Sequence, residues 1–171
     1  MIHEYMKKNN SRIFQSLHVH HAHIGFGFIV LLLLLVMPFC RVRKEPERVW
    51  DLRGKLVGLA KSLIGLPYRY GGQEIDGFDC SGFIYYTYDC FGIKLPRTAK
   101  EQSRLKQKIK LRYAKPADIL LFKFDQRWHS AFFIGANSFI HAPTQNTRLR
   151  VESLNESWKQ HLRYVIRVIN E

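Results

Sequence analysis

The stretch Ile119-Leu-Leu-Phe-Lys-Phe124, Ser130-Ala-Phe-Phe-Ile134 and Ser138-Phe-Ile-His141 is rich in branched and aromatic residues that suit pleated backbone. Asp125-Gln126 and Gly135-Ala136-Asn137 separate the runs with turn-forming residues. No helical pattern intervenes, so the three runs are expected to pair as an antiparallel meander. Tyr164-Val-Ile-Arg-Val-Ile169 is a further strand-like run. Upstream the period changes. Leu52, Leu56, Leu59, Ala60 and Leu63 recur at helical spacing from about Val49, with Gly65 and Pro67 placed to stop the helix. A second helix is expected from Cys80 to about Cys90, ended by Gly92, and the basic stretch from Ala99 onward also reads as helical. Helices first and strands later give an α+β fold, with the helices packed on one face of an antiparallel sheet.

The 171 residues allow one domain with a proper core and an appended segment. The formal charge is +13, from 27 Lys and Arg against 14 Asp and Glu. Nine basic residues lie between Lys94 and Lys115, opposed only by Glu101. That run reads as a solvated face. Aromatic residues are not interleaved with it as a base-stacking platform requires, and no nucleic-acid partner is expected.

Residues 1–45 read as a leader and 46–171 as the folded body. Within the leader, residues 24–39 form the one long apolar run. A 16-residue helix spans roughly 24 Å, short of the roughly 30 Å hydrocarbon core, so the run fits a signal-type segment better than a full span. Lys7, Lys8 and Arg12 precede it, and Arg41 to Glu47 form a charged linker. His18, His20, His21 and His23 read as polar leader, not as a metal site. Cys40 follows the apolar run directly and is the candidate lipidation site, although Pro38 and Phe39 stand where small residues are usual. Lipidation and an uncleaved anchor both place the body in the cell envelope, held to a membrane through its N-terminal segment.

Three cysteines leave at least one without a disulfide partner. Cys80 and Cys90 on one helix would stand roughly 15 Å apart, beyond the roughly 7 Å limit for a bridge. Cys90 is expected to be a small buried apolar residue. Cys80 lies in Gly77-Phe78-Asp79-Cys80-Ser81-Gly82-Phe83, at a polar helix mouth. Unpaired N–H groups there favour a thiolate and can donate to an oxyanion, whereas Asp79 opposes the thiolate and must cap the helix or bind a substrate amine. His129 and His141 sit at the ends of neighbouring strand-like runs. A hairpin can bring both rings to one end of the sheet, where His129 would take the thiol proton and His141 would orient His129. No metal and no cofactor is called for.

Tyr68-Arg69-Tyr70-Gly71-Gly72, Asp79-Cys80-Ser81-Gly82-Phe83, Leu95-Pro96-Arg97-Thr98, Pro116-Ala117-Asp118 and Phe139-Ile140-His141-Ala142 follow one another in that order. Together they resemble the NlpC-type cysteine peptidases of the bacterial cell wall over about residues 52–169. The resemblance implies a papain-like fold and endopeptidase cleavage of peptidoglycan stem peptides, at the D-glutamyl–diaminopimelate bond or the diaminopimelate–D-alanine cross-link. It implies Cys80 as nucleophile, His129 as general base and His141 as the orienting residue. It further implies that Tyr68 lines the site and that Asp79 and Ser81 help hold the stem peptide. No obligate protein partner is implied.

Two motifs depart from the family pattern. His129-Ser130-Ala131 stands where His-Val-Gly is usual, and Pro116-Ala117-Asp118 replaces Pro-Gly-Asp. With alanine there, a backbone at positive φ is not expected. Two alternatives stay open at this point. One is a catalytically silent wall-binding or scaffold protein on the same fold, and the other an amidase, acyltransferase or toxin on a related one.

Overall fold

A computed structural model describes residues 49–170. The apolar segment 24–39, Cys40, the leader histidines and the linker lie outside the described residues. Among the described residues no helix is long and apolar enough to cross a membrane.

Helix α1 (Val49–Ser62) buries Leu56 and Ala60, with Leu63 just beyond its end, and Gly65 leaves it at φ +91°. A small hairpin of β1 (Gln73–Glu74) and β2 (Gly77–Phe78) leads into α2 (Cys80–Asp89). A short helix α3 (Ala99–Gln102) follows, then β3 (Lys108–Ile109) and a 3₁₀ turn at Leu111–Tyr113. The remaining elements are β4 (Ile119–Phe124), β5 (Arg127–Gly135), β6 (Ser138–His141), β7 (Arg150–Ser153), α4 (Glu156–His161) and β8 (Leu162–Ile166).

The six larger-sheet strands run in the order β3-β8-β4-β5-β6-β7, every neighbouring pair antiparallel. The meander expected over 119–141 is its centre. Phe122 faces His129 across β4–β5, and Phe132 faces Ile140 across β5–β6. Ala136 and Asn137 connect β5 to β6 at φ 46° and 56°, the doubly left-handed pair that a two-residue hairpin turn needs. Alternation then sorts the side chains. Ile119, Leu121, Phe132 and Ile140 pack under α1 and α2 with Phe83 and Tyr88. Leu120, Phe122, Phe133, Phe139 and Val165 turn to the other face, where Leu154 and Trp158 of the β7–α4 region close over them.

The α+β class is as read from the sequence, and three local expectations are corrected. The basic stretch is α-helical only over α3, which Thr98 and Glu101 start with a reciprocal capping box. Beyond it, Lys108 and Ile109 pair with Ile166 and Val165, because main-chain groups of β8 need partners that a continuing helix would not supply. Ala117 does adopt positive φ, at 72°. The Lys115–Asp118 turn forces it: Asp118 N–H donates to Lys115 O (3.0 Å), Ala117 N–H donates to Phe133 O (2.8 Å), and the Tyr88 hydroxyl donates to Ala117 O. These bonds outweigh a left-handed cost of about 1–2 kcal/mol. Cys90 is exposed, not buried. It is the C-cap of α2, where the helix has already left the core that Tyr88 fills.

Candidate active site

The first turn of α2 is built around Asp79. Its carboxylate caps the helix by accepting from Gly82 N–H (2.6 Å), and it also accepts from the Ser81 hydroxyl (3.1 Å) and Gly71 N–H (3.1 Å). Arg97 grips the same carboxylate with both terminal nitrogens (3.0 and 2.8 Å) and also donates to Gly72 O (3.0 Å). Burial would push Asp79 up, yet Arg97, Gly82 N–H and the Ser81 hydroxyl together hold it below the usual carboxylate range. The helix mouth therefore lies against the β1–β2 hairpin with almost no gap. A Cβ on Gly82 would stand 2.0 Å from Gly72 O, so only glycine permits this approach.

Cys80 is the first residue of that helix and is half-buried. Burial pushes its thiol up and Asp79 adds to the rise, while the N–H groups of Ser130 and Ser81 and the Arg97 charge pull it down. The rise prevails, contrary to the depressed value expected from a helix mouth alone. Ser130, beside His129, donates its hydroxyl to Gln102 Oε1 (2.6 Å), and Gln102 donates to Ser81 O (3.2 Å). These bonds tie β5 to the thiol-bearing turn.

His129 and His141 come together as the hairpin register dictates. Phe132 opposite Ile140 puts His141 across from Ala131, and His129 two residues along on the same face. The ring nitrogens His129 Nε2 and His141 Nδ1 are 2.8 Å apart, with the rings perpendicular. Burial, then the neighbouring His141, lowers His129 to about 3, against the upward pull of Glu152 and Asp79. Burial likewise lowers His141. The indole of Trp158 lies edge-on to His141 with ring centres 5.2 Å apart. Tyr68, half-buried, keeps its hydroxyl proton because burial and the nearby Cys80 and Asp79 raise it.

All six residues singled out in the sequence, Tyr68, Asp79, Cys80, Ser81, His129 and His141, line one cleft of about 1070 Å³. Two more were missed. Arg97 lay inside a quoted motif without a role. A carboxylate beside a nucleophilic thiol needs a counter-charge, and that need was the signal for it. Glu152 lies on β7 with Oε1 3.2 Å from His141 Nε2, and nothing in its local sequence announced it.

Residues 65–167 match the NlpC/P60 family. The chain belongs to that family. A murein DD-endopeptidase/murein LD-carboxypeptidase, MepS, of Escherichia coli K12 is 31% identical over 123 residues, covering 70% of this chain and 65% of that protein. The probable endopeptidase NlpC of the same strain is 32% identical over 143 residues, covering 78% of this chain and 93% of that protein. The match thus spans just under two thirds of the first relative and nearly all of the second. A crystal structure of an NlpC/P60 family protein from Bacillus cereus ATCC 10987 superposes with a TM-score of 0.66 at 29% identity, covering 69% of this chain and 40% of that one.

Proposed function

We propose that this NlpC/P60 protein is a cell-envelope cysteine endopeptidase that hydrolyses amide bonds in peptidoglycan stem peptides. The observation that carries the reading is the 2.8 Å contact of His129 Nε2 with His141 Nδ1 in the cleft that Cys80 lines. With Nε2 engaged, Nδ1 of His129 is the nitrogen left to receive the Cys80 proton. The thiol is raised and His129 lowered, so the transfer accompanies attack and does not precede it. Sulfur bonds to the carbonyl carbon, the carbonyl oxygen takes the negative charge, and the α2 N-terminus stabilises it. His129 then returns the proton to the leaving amine. Water, deprotonated by His129, releases the acyl group from sulfur.

Tyr68, Asp79 and Ser81 form the wall along which the stem peptide lies. Asp79 is already neutralised by Arg97, so it shapes that wall more than it supplies free charge. The murein-cleaving relatives support the substrate class, and the bond is either the D-glutamyl–diaminopimelate link or the diaminopimelate–D-alanine cross-link. The protein is held in the envelope by its N-terminal segment, through Cys40 lipidation or an uncleaved anchor. Mass spectrometry of fragments released from a defined peptidoglycan digest tests the reading. Stem-peptide fragments released by the full chain and absent with Cys80→Ala are expected, and fragments that persist with Cys80→Ala refute it.

A further inference from the structure

His141 is buried, and its two nitrogens face different partners. Nδ1 meets His129 at 2.8 Å, and Nε2 lies 3.2 Å from Glu152 Oε1. That second approach is right in distance but oblique, and Nε2 has no hydrogen bond of good geometry. Glu152 is itself held in place. Trp158 Nε1 donates to its Oε2 (2.8 Å), while Arg150 donates to Oε1 from Nε (2.7 Å) and approaches it with a terminal nitrogen (2.6 Å). Cross-strand register explains the placement: His141 faces Arg150, so Glu152 lies diagonally beside the imidazole on the same face.

We infer that Glu152 is a positioning residue that sets the proton arrangement of the His129–His141 pair, completing a chain Cys80–His129–His141–Glu152. The inference rests on the reading of Cys80 and His129 given above. For His129 Nδ1 to accept a proton, its Nε2 must carry one and donate it to His141 Nδ1. His141 must then carry its own proton on Nε2. A neutral imidazole holds a single N–H, so whichever group faces Nε2 decides the tautomer of both rings. Glu152 is an acceptor with no proton to offer, since Arg150, His141 and Trp158 outweigh burial and hold it below the ordinary carboxylate range. When His129 becomes an imidazolium during attack, the same carboxylate lies one imidazole away and stabilises the charge. Besides the rings of Phe122, Phe124 and Phe139, the groups acting on the pair include Arg150 from β7, Asp79 at the N-cap of α2 and the Trp158 indole from α4. Of these, Arg150 lowers His141 and Asp79 raises His129, and neither accepts from Nε2.

The test compares Glu152→Gln and Glu152→Ala in the full chain, on the muropeptide that the wild type cleaves fastest. Gln keeps an acceptor and removes the charge; Ala removes both. One pKa unit corresponds to a tenfold change, so kcat is expected to fall about tenfold in Gln and about a hundredfold in Ala, with KM within about twofold. The acid limb of the kcat/KM profile should move to lower pH in both, because loss of the negative charge makes the histidines less basic. Nitrogen NMR should show His141 protonated at Nε2 in the wild type and in Gln, and a mixture of tautomers in Ala. Wild-type kcat and an unmoved acid limb in either folded variant overturn the inference. So does an equal loss in both with unchanged tautomers, which marks a purely structural carboxylate. If Ala does not fold, Gln decides through its acid limb. Persisting activity in Cys80→Ala would instead overturn the underlying peptidase reading.

Discussion

The two ends of α2 use the same chemistry for different purposes. At its start, Asp79 is bound by Arg97 and leaves one side open to the cleft, with Cys80 beside it. Near its other end, Tyr88 donates to Ala117 O next to Asp118, which is fully buried. Arg53 meets Asp118 at 3.1 Å and also donates to Pro116 O and Ile169 O, and Arg167 meets Asp118 at 2.9 Å. There the charges are enclosed by backbone acceptors, and the cluster ties α1 and the chain after β8 to the start of β4. A buried ion pair is costly to break and contributes little beyond what apolar packing could supply. Closure on every side makes one cluster structural, and the missing side makes the other available to a substrate.

That contrast can be broken most sharply at Cys80. Cys80→Ala should lower hydrolysis by at least about 1,000-fold, since removing one member of a nucleophile–base unit disables the whole, with the melting temperature unchanged. Fragment release and calorimetry on the same sample check both halves. Asp118→Ala should do the reverse. It strands Arg53, whose side chain is buried, and should cost about 3–5 kcal/mol in denaturant unfolding, with residual activity proportional to the folded fraction.

Stability of the folded protein depends on pH through the active-site histidine. His129 is lowered to about 3 in the folded protein against an ordinary value of 6.5. Between those values the unfolded chain binds the extra proton, so stability rises with pH across the window and is lost as pH falls from about 6.5 towards 3. Asp79, also lowered, adds a loss that begins only below its ordinary 3.8. Unfolding free energy against pH should therefore decline as pH falls from about 6.5, by an amount on the order of a few kcal/mol, and the decline should flatten in His129→Gln. With the Cys80 thiol raised, no thiolate absorbance near neutral pH is expected in a wild-type minus Cys80→Ala difference spectrum. The smallest effect belongs to the far end of the helix. Cys90 is exposed, so Cys90→Ala should change stability by no more than about 0.5 kcal/mol and leave activity intact.

Much of this was legible in the chain because the informative signals were local. Short runs of branched and aromatic residues with turn residues between them marked β4, β5 and β6, and their register brought His129 to His141. Helical spacing and a polar start gave α2 with Cys80 at its mouth. What escaped depended on contacts distant in sequence. Ala117 is left-handed because Phe133 and Tyr88 hold it there, and no nearby residue encodes that. Cys90 follows helical spacing into a position where the core has ended. The basic stretch from Ala99 onward has Leu105 and Ile109 at helical spacing, but the edge of β8 claims Ile109 for the sheet. Glu152 acquires its place only when β7 is laid beside β6, so an unremarkable Arg-Val-Glu acquires a partner across two strands.

The contact between Gly82 and Gly72 carries a consequence for how such a cleft can change. The position of the thiol is set by main chain resting on main chain, with no side chain between. Rim residues such as Tyr70, Lys100, Gln126 and Arg127 are exposed, line the cleft and take no part in that contact. Preference for one peptide over another can therefore drift, or be engineered, by exchanging the rim while the reacting atoms keep their places. Diversification is cheap at the mouth of the cleft and forbidden at its hinge with the helix.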